Sequence, residues 1–205
     1  MLKDLTITEF LEQTASAEPL PGGGCTAALN AALAASLTEM VANLTIGRKE
    51  FQSVEDEMKT IAKAAADLRK KLQNDIDNDA QAYQEVLAAF KLPKNTDGEK
   101  KQRLHTIQQA FKTAATVPLG VARETLKIMD LASRAITAGN PNAVTDGAVA
   151  VLAARTAALA AAYNVKINLS AIKDTQFVDE LVREIEELES QVIKKEKEIL
   201  AQVKI

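Results

Sequence analysis

Leu68, Leu72, Ile76, Tyr83, Val86 and Phe90 recur at helical spacing, and the place the same stripe gives to residue 79 is filled by an aspartate. A carboxylate inside an apolar stripe is costly unless it is paired, hydrogen-bonded or protonated. Its proton affinity is then open to tuning, as acid–base chemistry requires. Two plainer readings stand beside this one. Asp79 could be a polar contact that specifies a bundle, or the stripe could rotate and leave it at an edge. Asp77 and Asp75 are close in sequence but point to other sides of the helix, where spacing alone makes them a solvated face.

Pro21-Gly22-Gly23-Gly24 runs straight into a helical segment. Glycines there let a ligand approach the backbone, and the free N–H groups with the helix dipole favour an anion. A turn that simply brings two helices close fits the same residues, and neither a Walker motif nor a dinucleotide fingerprint is present. Cys25 opens the helix with no histidine near it, so it reads as a small cap rather than a nucleophile. Arg48-Lys49 follows the C-terminus of that helix, either as ordinary end-charge complementarity or as a clamp for carboxylate or phosphate. Lys91, Lys94, Lys100, Lys101 and Arg103 form a second basic group, read as a solvated face. Asn140, Asn142 and Asp146 crowd a turn and a helix start, where turn chemistry explains them. Asn164 and Asn168 alternate with apolar residues, and buried amides need partners of protein or ligand. The single histidine, His105, falls on an exposed side.

The elements that must position these groups read as helices throughout. Thr6-x-x-Glu9 and Thr96-x-x-Glu99 are capping boxes. An Ala-rich helix is expected from about Cys25 to Thr45, and a second follows the Gly139-Asn-Pro-Asn142 turn to about Tyr163. Between them, Ser53 is expected to cap a helix reaching Lys91, which at ~1.5 Å per residue spans roughly 55 Å. Pro118 falls inside the next helical pattern and predicts a kink. Asn164 to Lys173 reads as a connector, and Asp174 as the cap of a final amphipathic helix. The expected fold class is all-α: a single domain over residues 1–205, an elongated bundle with two central Ala-rich helices and long amphipathic helices around them. A helix longer than the radius of such a domain also predicts self-association.

Composition narrows the chemistry. Aromatic residues make up 3% of the 205, with no tryptophan, so Ala, Leu, Ile and Val must fill the core. One cysteine and one histidine leave no disulfide framework, no common zinc site and no serine–histidine triad. A net charge of −3 offers no nucleic-acid footprint. The start of the chain lacks a secretory pattern, and the longest uncharged stretch, residues 19–38, is broken by glycine and proline, so no membrane association is expected and the cytoplasm is the expected compartment.

Taken in order, Pro21-Gly-Gly-Gly24, Asn43-Leu-Thr-Ile-Gly-Arg-Lys49, Asp77-x-Asp79-Ala80, Leu92-Pro-Lys-Asn-Thr96, Val117-Pro-Leu119, Gly139-Asn140 with Asp146, and Asn164-Val-x-Ile-Asn-Leu169 cover nearly the whole chain. This ordered set resembles the cyclodeaminase domain of formiminotransferase-cyclodeaminase and its stand-alone bacterial relatives, which include a methenyltetrahydrofolate cyclohydrolase. Cys25 and Thr145 stand where the family usually has serine. The resemblance implies a dimerising helical bundle with folate in a cleft near the subunit contact, and neither a metal nor a tightly held cofactor.

It further implies closure of 5-formiminotetrahydrofolate to 5,10-methenyltetrahydrofolate with loss of ammonia. The substrate would come from solution or from a separate formiminotransferase. Asp79 is expected as proton shuttle, with Asp77 and Lys94 as partners in catalysis. Pro21, Gly22, Gly23, Gly24, Arg48, Lys49, Asn95, Asn140, Asp146, Asn164 and Asn168 are expected to bind substrate, the glycine turn and Arg48-Lys49 taking its anionic end and Asp146 the pterin. Hydrolysis of the methenyl compound to 10-formyltetrahydrofolate is the alternative reaction, and a non-catalytic helical interaction module the alternative class.

Overall fold

Both capping boxes form. Thr6 Oγ1 accepts the Glu9 N–H at 3.2 Å while the Glu9 carboxylate accepts the Thr6 N–H at 2.8 Å, and Thr96 and Glu99 repeat the pair at the same distances. They open α1 (Ile7–Thr14) and α4 (Asp97–Ala138), two of the six helices in the computed structural model, which describes residues 1–204 and shows no strand among them. The others are α2 (Gly23–Asn43), α3 (Glu55–Phe90), α5 (Val144–Leu169) and α6 (Thr175–Leu200). Asp174 caps α6 by accepting the Phe177 N–H at 3.2 Å.

Two expected boundaries move. Ser53 does not cap α3; it lies in a 3-10 turn, Lys49–Val54, and the helix starts after it without a side-chain cap. The second Ala-rich helix does not stop at Tyr163 but runs on to Leu169. Asn164 and Asn168 are therefore helical. Each turns its amide back on a carbonyl one turn earlier, Asn164 Nδ2 to Ala160 O and Asn168 Nδ2 to Asn164 O, both at 2.8 Å. That internal satisfaction lets polar residues continue a helix that propensity alone would end.

α2 and α5 lie antiparallel at the centre, with the start of α2 beside the end of α5 and the end of α2 beside the turn before α5. Ala27, Ala28, Ala31, Ala34 and Ala35 on one helix, and Ala150, Ala154, Ala157 and Ala161 on the other, are fully buried. Alanine lets backbones approach closely, so this Trp-free core is dense through short side chains rather than large ones. α3 and α4 flank the pair, and at ~1.5 Å per residue their 36 and 42 residues reach about 54 and 63 Å; they finish level with the last turn of α2 at one end and run well beyond its start at the other. α6 closes the far side, tied by Arg123–Glu184, Arg155–Glu196 and Lys166–Glu189. α2 and the segment 141–169 are long and apolar enough to cross a membrane by length and composition, but here they form the interior of the bundle.

Candidate functional site

Because α3 outruns α2, its buried face changes partners partway along. Leu72 and Ile76 pack into the main core, whereas Ala82, Val86 and Ala89 pack against Ile107, Ala110 and Ala114 of α4. Asp79 sits at the changeover, level with the first residues of α2. The stripe does rotate there, and Tyr83 and Phe90, expected within it, stand partly exposed. Beyond the start of α2 the space between α3, α4 and the last turns of α5 stays open, a cavity of about 470 Å³. Gly22, Gly23 and Gly24 floor it, with Asp79 beside them. Tyr83, Val86, Phe90, Phe111 and Ile167 supply apolar and aromatic wall, and Asn164 and Asn168 supply polar wall. The size and the mixture are those of a small-molecule site.

The glycine turn is required by Asp79. A Cβ on Gly24 would fall 2.0 Å from Asp79 Oδ1 and 2.5 Å from Oδ2, and one on Gly23 would fall 3.2 Å from Asn164 Nδ2. The carboxylate thus lies against the backbone of the first helical turn. Among the described residues its one hydrogen-bond donor from a side chain is the Cys25 thiol, whose Sγ is 3.2 Å from Oδ2. No cation pairs with it among the described residues. Burial pushes the carboxyl above the ordinary carboxylate range, and the thiol and backbone N–H of Cys25 only partly oppose it. The thiol is pushed up to about 12 by burial and then by the neighbouring carboxylate, so Cys25 is a neutral donor and not a thiolate nucleophile.

Asn168 has a second task that proline explains. Pro118 lacks the N–H that would bond the Ala114 carbonyl four residues back. Asn168 Nδ2 donates to that carbonyl at 2.9 Å, which keeps α4 continuous through the proline and pins α5 to α4 beside the cavity. With both amide nitrogens committed to backbone carbonyls, the Oδ1 atoms of Asn164 and Asn168 are left as acceptors at the cavity wall.

The remaining residues expected in the site lie elsewhere in this chain. Asp77 Oδ1 accepts the Leu2 N–H at 2.7 Å and lines a different hollow beneath the N-terminal turn. Lys94 and Asn95 are exposed between α3 and α4, where the Asn95 N–H donates to Glu99 as part of the cap. Neither lines the cavity. Arg48, Lys49, Asn140 and Asp146 gather at the opposite end of the α2–α5 pair, and the 21 residues of α2 put about 30 Å between that end and the glycine turn. There Asn140 is structural: its backbone N–H donates to Thr45 Oγ1 at 2.9 Å, its amide to the Leu44 carbonyl at 3.2 Å, and its Oδ1 accepts the Asn142 N–H. Gly47, at φ 77°, takes the left-handed turn that leads to Arg48.

The aromatic wall was the part that motifs missed. Phe111 and Phe90 read as ordinary core positions of two separate helices, and only the overhang of α3 beyond α2 exposes them to a shared space. The Asn168–Ala114 bond did leave a signal, since a proline within a helical pattern announces an orphan carbonyl four residues earlier.

The family model described as Formiminotransferase-cyclodeaminase matches residues 6–187. The chain is 42% identical to the methenyltetrahydrofolate cyclohydrolase of Methylorubrum extorquens, over 89% of this chain and 88% of that one. It is 32% identical to the formimidoyltransferase-cyclodeaminase of Rattus norvegicus over 91% of this chain but 35% of that one, so it spans about a third of that relative's length. Among solved structures, the formiminotetrahydrofolate cyclodeaminase of Thermotoga maritima superposes with a TM-score of 0.88 at 30% identity, covering 99% of this chain and 98% of that chain.

Proposed function

The chain belongs to the formiminotransferase-cyclodeaminase family, and from that premise we propose that, acting as one domain, it works on the single carbon carried between N5 and N10 of tetrahydrofolate, with Asp79 moving the proton. The observation that carries this reading is an unpaired carboxylate of raised proton affinity on the floor of a largely apolar cavity. In cyclodeamination, N10 attacks the carbon of the protonated N5-formimino group. The proton released from N10 passes through Asp79 to the departing nitrogen, which leaves as ammonia, and the bridged methenyl cation remains. A carboxyl group whose proton affinity burial has raised suits both halves of that transfer, and its anionic form favours the cationic product. The Asn164 and Asn168 oxygens accept hydrogen bonds from the pterin, and the aromatic wall stacks on the ring system.

Hydrolysis of the methenyl compound is a second reading, favoured by the 42% identity to the cyclohydrolase over nearly its full length. Asp79 then takes a proton from water as the oxygen adds to the same carbon and returns it to N5 as the C–N5 bond breaks, while the added hydroxyl gives its remaining proton to solvent and becomes the formyl C=O. Following the methenyl absorbance with each substrate separately distinguishes the two. Formation of the signal with ammonia from formiminotetrahydrofolate marks the cyclodeaminase. Accelerated decay of methenyltetrahydrofolate marks the cyclohydrolase. Asp79→Asn should lower either turnover by roughly 10²- to 10⁴-fold with folate binding retained; near-normal turnover removes Asp79 from the mechanism.

The folate is a substrate here, not a resident cofactor, and we place the reaction in the cytoplasm. The working unit in this reading is a homodimer. Leu29, Leu33 and Met40 of α2, with Leu152, Tyr163 and Ile167 of α5, leave an exposed apolar stripe. A second copy laid antiparallel on it brings Arg48-Lys49 and Asp146 of one subunit to the glycine turn of the other, joining the two groups that one chain keeps apart. The reading predicts that Asp79→Asn mixed with an Arg48→Glu/Lys49→Glu variant recovers about a quarter of wild-type activity through hybrid dimers. No recovery on re-assortment, or a monomer in sedimentation, rules the shared site out. A separate formiminotransferase supplies the substrate in the cyclodeaminase reading.

A further inference from the structure

We propose that Cys25 is a positioning residue for the reacting carboxylate: its thiol proton, donated to Asp79 Oδ2, fixes the carboxylate against the first turn of α2 and leaves Oδ1 as the atom that exchanges protons with substrate. This rests on the reading of Asp79 as proton shuttle.

The geometry is closed on every side but one. Cys25 is fully buried, with its Sγ 3.2 Å from Oδ2. Gly24 lies directly under the carboxylate, so the group cannot sink further toward α2. The groups lining the cavity around it are Phe111 and Ala114 of α4, Asn164 and Asn168 of α5, and Tyr83 one turn along α3; no lysine or arginine is among them. Of the titratable side chains, Cys25 is hydrogen-bonded to it and Tyr83 lines the cavity beside it, and among the described residues Cys25 is its one side-chain donor. A short carboxylate on a helix has few χ1 rotamers, and the thiol occupies Oδ2 in this one while Oδ1 takes no side-chain donor among the described residues.

The donor type matters as well as its place. A thiol is a weaker donor than a hydroxyl, so it stabilises the charged carboxylate less. Serine at position 25 should favour the carboxylate more strongly, and alanine not at all. The acidic limb of the pH profile, where turnover rises as Asp79 loses its proton, should therefore move to lower pH in Cys25→Ser and to higher pH in Cys25→Ala. At the acid end Cys25→Ala should run about tenfold below wild type, the size of one lost hydrogen bond to a charged group, and converge toward it as pH rises.

The test pairs those profiles with ¹³C NMR titration of the Asp79 carboxyl in substrate-free protein, for wild type and both variants. The expected result is one order of midpoints, Ser below Cys below Ala, in both measurements. Coincident midpoints in all three proteins overturn the proposal, even if turnover falls uniformly, since loss of packing alone does not move a titration. If the NMR order holds and neither folate is turned over, the proton-shuttle reading fails while the Cys25–Asp79 coupling stands. Cys25→Ser keeps the buried position polar and small, so the comparison survives if Cys25→Ala folds poorly.

Discussion

Replacing Gly24 by alanine should separate activity from stability more cleanly than any change to Asp79 itself. The added Cβ meets Asp79 Oδ1 at 2.0 Å and Cγ at 2.4 Å, and ordinary van der Waals contact begins at 3.4 Å, so the carboxylate must retreat by roughly 1.4 Å. It can do so by turning about its own side-chain bonds toward the open cavity, without moving either helix. The stability cost is then overpacking of about 1–3 kcal/mol, offset by about 1 kcal/mol because alanine replaces glycine inside a helix. The catalytic cost is larger: misplacement of a reacting group by about 1 Å is worth on the order of 10²-fold in turnover. The assay is methenyl absorbance under saturating substrate, run beside a thermal melt. Gly120→Ala in α4 is the control, because nothing lies within 4 Å of its new methyl group; it should keep full activity and gain up to about 1 kcal/mol. Wild-type turnover in a folded Gly24→Ala protein would refute the argument that the position of Asp79 against α2 matters to the chemistry.

Three further outcomes follow from the same contacts. Asp79→Asn should melt higher than wild type at neutral pH while losing turnover. The folded-state carboxyl titrates above its unfolded value because of burial, so its contribution to stability is present below the ordinary carboxylate range and lost as pH rises through the raised value. The advantage of the asparagine should therefore vanish in acid, and equal melting at every pH would contradict the burial cost. Asn168→Val should cost about 1–3 kcal/mol by orphaning the Ala114 carbonyl, and much less in a Pro118→Ala background where the helix supplies its own N–H; additive denaturation free energies would show that the amide does not serve the proline. Asp77→Ala should leave turnover unchanged and speed hydrogen exchange at the Leu2 amide, whose bond to Asp77 it removes; a large loss of turnover would return Asp77 to the catalytic set.

The helices were legible because local signals and burial agreed. Thr6, Thr96 and Asp174 cap where their spacing placed them, and the alanine runs became the central pair. Where the reading slipped, a tertiary contact outvoted a local cue. Asn164 and Asn168 extend α5 because their amides have carbonyls to bind, and Ser53 yields its cap to a 3-10 turn. In the site, Asp79, the glycines and the two asparagines were visible as polar or flexible residues in apolar company. Arg48, Lys49, Asn140 and Asp146 were equally visible, yet sequence carries no record of which end of an antiparallel pair a motif occupies. A single chain keeps those groups at the far end of α2.

The placement of the cavity follows from unequal helix lengths. Had α2 continued one turn before Gly23, its side chains would fill the space that Tyr83, Phe111 and Asn164 now surround, and Asp79 would face a packed helix. Its start at Gly22–Gly24 instead leaves a helix N-terminus against the flank of a longer helix, where glycine admits a carboxylate to backbone contact and the overhanging helices form the cavity walls. The arrangement stabilises neither form of the carboxyl fully: burial opposes its charge, while the helix end and the Cys25 thiol favour it. Burial is the larger of the two, so the carboxyl holds its proton more strongly than an exposed aspartate does. In the proposed reading, ring closure with loss of ammonia and ring opening by water both draw on that raised proton affinity at the same carbon, and the choice between them rests on which nucleophile and leaving group the rest of the cavity admits.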